Sequence, residues 1–360
     1  MDDLQNLITI QYKTHGSNIP MYYDIHLPSS LSEESEARKV EVPAIPAVVY
    51  FHGGGLSVGN RRSWTPIWLK KRVLDLGYAY ISPDYRLLPP ATAFDIVEDL
   101  QDLFKHISNT TFNGRSQAFR IDMDRIAVAG SSAGGTCAYL AATHCLPKPK
   151  ALVSMYGMGG NFLISHYLRQ KHTVFFRGRD LLDPAEFKEY LYPFSEGPLP
   201  SIADSPLAYH PQTYHIPGYP ANKRMLLPRL YLQLGTFLDY YTGIHDPSIS
   251  SKLLAIFESG PSDDEEYAHA LPSDRYRAIF PQLSVTSAWP ETMLLHGIQD
   301  TAVPVEESRK MKDVLTKAAV QVDLLEFADS EHSFDYEPGA KERWNKEFDQ
   351  VKDFLRTRLS

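Results

Sequence analysis

Through the first half of the chain, apolar positions fall into short blocks separated by turn residues. Leu7–Lys13 and Met21–His26 alternate apolar with polar positions and read as two early strands around the segment His-Gly-Ser-Asn-Ile-Pro. A polar, Glu-rich loop follows at Ser29–Glu41. The unbroken apolar run Pro46–Phe51 suits a strand buried on both faces. Trp64–Leu76 has helical spacing and stops at Gly77, a residue suited to a helix C-terminus. Ala79–Asp84 is the next strand. Ala91–Ser108 puts Phe94, Val97, Leu100, Phe104 and Ile107 on one side of a helix. Arg125–Gly130 reads as strand, Ala133–Cys145 as helix and Ala151–Tyr156 as strand. Repeated strand-helix units predict a mostly parallel sheet with helices on both faces.

Residues 157 to 289 break this alternation. They are rich in Tyr, Pro, His and Phe, and offer one short helix at Asp183–Leu191 and an acidic turn at Ser262–Glu266. Their many large apolar side chains argue for a packed insertion rather than a linker. The pattern resumes at Glu291–His296, Val305–Ala318, Val322–Phe327 and Ala340–Arg358. The expected organisation is an α/β catalytic core at residues 1–156 and 290–360, with a cap or lid inserted at 157–289.

Composition adds little to this picture. The chain has 360 residues, 43% hydrophobic and 22% charged, with a formal net charge of -8. No basic stripe marks a nucleic-acid binder, and no apolar run reaches the length of a membrane span. The N-terminal stretch is acidic where a secretory leader would be basic, so a cytoplasmic location is expected. Cys137 and Cys145 sit eight residues apart on one expected helix, a rise of about 12 Å. That separation is too long for a disulfide, and buried thiols are expected. The histidines at 166, 172, 210, 215, 245 and 269 have no metal-ligand spacing, and no metal or cofactor is expected.

The chemistry lies at the ends of the expected strands. Residues 130–134 read Gly-Ser-Ser-Ala-Gly, between the apolar strand and the following helix. A G-x-S-x-G turn in that place exposes a serine, here Ser132, above the sheet and aims a helix N-terminus at it. Ser131 shares the turn but not the central offset. Residues 52–55 read His-Gly-Gly-Gly directly after another strand. Glycine backbone N–H groups there, from Gly53 and Gly54 with Ala133 after the serine, can meet a developing oxyanion. Gly55 shapes the loop, and His52 is read as a structural residue.

A serine hydroxyl needs a base, and the base needs an orienting acid. His332 is the only histidine after His296, and it follows the last expected strand. Asp300 follows the strand before it, in His-Gly-Ile-Gln-Asp. Asp329, Glu331 and Asp323 are weaker candidates, two for lying beside His332 and one for lying inside a strand.

These residues resemble the hormone-sensitive-lipase-like esterases. The resemblance is carried by HGGG at 52–55, Asp84-Tyr85-Arg86-Leu87, DRIAVAGSSAGG at 124–135, HGIQD at 296–300 and EHSF at 331–334. Where that family often has YRLAPE, this chain has YRLLPP, and Ser131 stands where Asp or Glu is common. The resemblance implies an α/β-hydrolase fold and a cofactor-independent carboxylic ester hydrolase acting on a small or medium acylated metabolite. A small-molecule ester or thioester is then the expected partner, for a monomer or homodimer. An acyltransferase or product-releasing enzyme of secondary metabolism would use the same acyl-serine. A serine peptidase is disfavoured by the HGGG loop. A non-catalytic ligand receptor is disfavoured because all three triad candidates are present.

Overall fold

The computed structural model describes residues 6–16, 18–29, 42–114, 117–195, 197–260 and 263–360. The early apolar blocks form β1 (Leu7–His15) and β2 (Ile19–His26), an antiparallel pair. Then come β3 (Ala44–Phe51), α1 (Ile67–Asp75), β4 (Ala79–Pro83), α2 (Ala93–Asn109), β5 (Phe112–Asn113) and β6 (Ala118–Ser131). After these lie α3 (Ala133–His144) and β7 (Ala151–Met155). The sheet order is β1-β2-β4-β3-β6-β7, continued by β8 (Glu291–Gly297) and β9 (Val322–Phe327). From β4 to β9 every neighbouring pair is parallel. This is the α/β-hydrolase architecture that the motifs implied.

The central parallel strands β3, β4 and β7 are apolar on both sides because both sides are covered. Val49 and Phe51 of β3 pack with the α2 and α3 side, while Val48 and Tyr50 pack with α1 and the C-terminal helix α12 (Asn345–Leu359). Shared strand polarity brings the C-terminal ends of β3, β6, β8 and β9 to one edge of the sheet. The four loops carrying the candidate chemistry leave from those ends.

The elements differ from expectation in three places. β6 starts seven residues before Arg125, and its first residues pair with β5. The expected helix Ala340–Arg358 is broken at Trp344 into α11 (Ala340–Arg343) and α12, with the Trp344 ring edge-on to Phe327 at 4.9 Å. Asp183–Leu191 is a 3-10 turn, Pro184–Tyr190, rather than an α-helix. Most of the expected Ser29–Glu41 loop lies outside the described residues, as does Ser262 of the acidic turn. The rest of that turn opens a helix, with the Asp263 carboxylate accepting from the Glu266 N–H.

Between β7 and β8 the chain is helical. It carries α4 (Ser165–Leu168), α5 (Leu227–Leu234), α6 (Phe237–Thr242), α7 (Ile249–Ser259), α8 (Asp264–Ala270) and α9 (Asp274–Arg277). These helices are short, and all six residues of α6 are buried, so no amphipathic stripe marks that helix. The aromatics of this stretch join the core on the α2 and α3 side of the sheet: the Phe162 ring meets Tyr241 at 4.9 Å and Tyr167 at 5.0 Å. α10 (Glu306–Lys317) then returns the chain to the sheet. Cys137 and Cys145 are free and buried. Among the described residues, no helix is long and apolar enough to cross a membrane.

Candidate active site

Ser132 sits between β6 and α3 with φ 53° and ψ -124°, a conformation strained for a residue with a side chain. The turn is possible because its flanking residues are glycines. A Cβ on Gly130 would lie 2.0 Å from the Gly134 carbonyl oxygen, and one on Gly134 would lie 2.0 Å from the Phe51 carbonyl oxygen. Backbone bonds hold the turn: the Ser132 N–H donates to Met155 O at 3.0 Å, and Ser132 O accepts from the Gly135 and Met158 N–H groups. Ser131 is engaged by a different partner. It is buried, and its hydroxyl is 2.6 Å from the Tyr50 hydroxyl.

The Ser132 hydroxyl lies 3.0 Å from His332 Nε2. His332 Nδ1 lies 2.7 Å from Asp300 Oδ2. A carboxylate only accepts, so Nδ1 carries the proton and Nε2 presents a lone pair to the serine. Asp300 is fixed in turn, with Oδ1 accepting from the Ala302 and Val303 N–H groups at 2.9 and 2.8 Å. Burial alone would raise the Asp300 carboxyl. The facing His332, with His296 beside it, outweighs burial and holds it well below the usual carboxylate range.

The other acids are engaged away from the imidazole. Glu331 accepts from the Thr301 N–H and hydroxyl and from the His332 N–H, and Asp329 accepts from Gln299. Asp323 is paired along β9 with Met293 of β8. Close approach of the two loops needs Gly297, where a Cβ would lie 2.4 Å from the Ser330 carbonyl oxygen.

The His-Gly-Gly-Gly loop arches over the serine. A Cβ on Gly53 would be 3.3 Å from the Ser132 Cβ, so a side chain there would press on the serine. Gly53 and Gly54 line the same chamber as Ser132 and His332. Ala133, the third expected donor, follows Ser132 as the first residue of α3. His52 is turned away and buried, stacked on Tyr85 at 4.3 Å with Nδ1 2.7 Å from Gly53 O. Burial lowers its imidazole to about 4, which keeps it neutral and structural.

Below the loop, the Asp84-Tyr85-Arg86 stretch is a scaffold. The Tyr85 hydroxyl donates to His52 O at 2.8 Å. Arg86, 1% exposed, forks onto the fully buried Asp99 with Nε–Oδ1 at 2.9 Å. Asp84 accepts from the Arg61 guanidinium and backbone.

Sequence reasoning missed several residues of this site. His296, at the end of β8, places Nε2 2.8 Å from Val303 O and 3.3 Å from Asp300 Oδ2. Glu307 is buried, accepts from the Gly159 N–H and the Tyr167 hydroxyl, and is pushed up to about 8 by burial. Arg224 donates to the carbonyls of Ser57, Leu88 and Pro89, tying the helical excursion to the glycine loop and the YRLLPP stretch. Leu226, Pro228, Arg229 and Leu232 complete the chamber wall from that excursion. His296 opens the HGIQD stretch at 296–300, but its contact with Asp300 was not foreseen, and the others had no local pattern to find.

Residues 48–195 match the Abhydrolase_3 family, described as α/β hydrolase fold, and residues 248–360 match the prolyl oligopeptidase family. The first match holds the glycine loop and Ser132, and the second holds Asp300 and His332. A protein of Phoma sp. named "Probable carboxylesterase M8" is 36% identical over 131 residues, 35% of this chain and 39% of that protein. A non-reducing polyketide synthase of Penicillium brasilianum is 24% identical over 88% of this chain but 12% of its own length. The chain therefore spans well under half the length of either relative. Among solved structures, an esterase of Thermogutta terrifontis with butyrate bound aligns at TM-score 0.54 and 16% identity, covering 98% of this chain and 94% of that one. A Staphylococcus aureus protein of unknown function aligns at TM-score 0.59 and 17% identity, covering 98% of this chain and 100% of that one.

Proposed function

We propose that this chain, a member of the α/β-hydrolase superfamily, is a serine carboxylic ester hydrolase that acts through an acyl-enzyme on a small or medium acylated metabolite. The observation that carries the reading is the hydrogen-bonded line from Ser132 through His332 to Asp300 at the wall of one chamber. In this reading the Ser132 hydroxyl attacks the substrate carbonyl carbon while His332 Nε2 takes its proton. Asp300 holds the imidazole and offsets its positive charge. The N–H groups of Gly53, Gly54 and Ala133 receive the oxyanion. The imidazolium protonates the departing alkoxide or thiolate. Water, deprotonated by His332, then frees the acid and restores the serine. Residues 157–289 act as the cap, because α5 supplies one wall of the chamber.

A second reading shares the acyl-serine but releases or transfers a thioester-borne product. It is favoured by the likeness of nearly the whole chain to a segment of polyketide synthases. Added alcohol and amine acceptors separate the two, since an acyltransferase forms new esters or amides at the expense of free acid. The shared core is tested by a fluorophosphonate probe with peptide mapping and a panel of acyl esters. Label on Ser132, and loss of ester turnover in Ser132→Ala, are expected. Label on another residue, or full turnover by Ser132→Ala, overturns the reading.

A further inference from the structure

The overall charge is -8, yet the chamber over Ser132 is lined by three arginines and no carboxylate. Arg229 lies on α5, Arg177 and Arg179 on the turn after Phe176. Arg229 is 7% exposed, and its buried Nε has no hydrogen-bond partner. Among the described residues, no carboxylate pairs with any of the three. Stranding a guanidinium N–H in a dry site is costly unless an acceptor arrives. Burial, and then the like charge of Arg179, depress the Arg229 guanidinium, while Tyr219 and Asp180 pull the other way.

These arginines are held over the reacting centre from both sides. Pro228, next to Arg229, packs so closely on the glycine loop that a Cβ on Gly55 would lie 2.2 Å from it. On the other side, the Arg177 N–H donates to the Thr301 hydroxyl at 2.9 Å, and Thr301 follows Asp300. The turn itself is closed by the Arg179 N–H on Phe176 O at 3.0 Å. The positive groups are thereby tied to the oxyanion loop on one side and to the acid loop on the other.

We propose that Arg229, with Arg179 and Arg177, forms an anion subsite, so that the substrate is an acyl ester or thioester carrying a carboxylate or phosphate near the scissile carbonyl. The proposal rests on the esterase reading for its reaction and adds the substrate class. The buried Arg229 makes charge-assisted bonds to the anionic group, and the exposed Arg177 and Arg179 attract it to the entrance. The apolar side chains of Leu226, Leu232 and Phe176 hold the uncharged remainder.

Matched substrate pairs test this. On the acyl side, 4-nitrophenyl hemiglutarate is compared with 4-nitrophenyl pentanoate. On the leaving side, the butyrate ester of 2-hydroxyethyl phosphate is compared with that of ethylene glycol. In wild type, kcat/KM should favour the charged member of at least one pair by about tenfold or more, the size of one hydrogen bond to a charged group. That ratio should fall toward one in Arg229→Gln, and also in Arg179→Gln, at an exposed position that the core does not depend on. The pair showing the preference assigns the anion to the acyl or the leaving side. A wild-type ratio near one in both pairs, or a preference that survives both variants, overturns the subsite.

If no ester is turned over, the esterase reading fails, and thermal denaturation with glutarate or inorganic phosphate then decides the subsite alone. A saturable rise in Tm that Arg229→Gln abolishes supports it. An unchanged Tm with both anions, or a rise that persists in Arg229→Gln, overturns it.

Discussion

Ser132 occupies a backbone conformation that costs on the order of 1–3 kcal/mol, and the contacts of its neighbours hold it there. Gly130 and Gly134 are the tightest of these, each with a carbonyl oxygen 2.0 Å from where a Cβ would lie. Gly134→Ala would drive a methyl against the Phe51 carbonyl oxygen, so the variant should lose at least ~3 kcal/mol of unfolding free energy in urea titrations. Asp300 acts differently, through charge and tautomer. Asp300→Asn keeps the shape but presents an amide where His332 Nδ1–H needs an acceptor. Its kcat should fall on the order of 10³–10⁴-fold, read in steady-state ester hydrolysis. Asp300 also bears on acid stability. Its carboxyl is lower in the fold than in the unfolded chain, so its stabilisation is present above the ordinary carboxylate pKa and lost as pH falls through the depressed one.

At the scale of elements, parallel strands bring four loops to one edge, and a helical excursion closes over them. Arg224 is the link between the two. Its guanidinium reaches four backbone carbonyls, Ser57 just after the glycine loop and Leu87, Leu88 and Pro89 after Arg86. Arg224→Gln should uncouple the α5 wall from the loop that positions Gly53 and Gly54. A loss of about 2 kcal/mol in stability is expected from the unmet carbonyls. A fall in kcat/KM of roughly 10–100-fold is expected from misplacement of the donors. A variant with unaltered kinetics would mean that the loop holds its own geometry.

For the whole molecule, buried neutral histidine links stability to pH. His52 is lowered to about 4 by burial, while in the unfolded chain it titrates near 6.5. Between those values the unfolded chain binds the extra proton, so this group makes stability rise as pH rises from about 4 to about 6.5. His52→Gln removes that contribution. The slope of unfolding free energy against pH in that window should drop by as much as ~1.4 kcal/mol per pH unit, measured by urea denaturation at a series of pH values.

What was legible from the chain alone was whatever is written in local pattern. Apolar blocks set the strands, and glycines at 53–55, 130 and 134 marked the tight turns. Chain order then put Ser132, Asp300 and His332 each after a strand. The tertiary structure decided what depends on residues far apart in sequence. It brought Ser132 and His332, 200 positions apart, to 3.0 Å, and it gave the imidazole to Asp300 rather than to the nearer Asp329 or Glu331. It also set short helices between β7 and β8, whose placement depends on what they pack against rather than on a long local period. Arg177, Arg179, Arg224 and Arg229 carry no motif, because an arginine's role depends on what faces it. Three of them face the chamber over the serine, and one clasps the loop beside it.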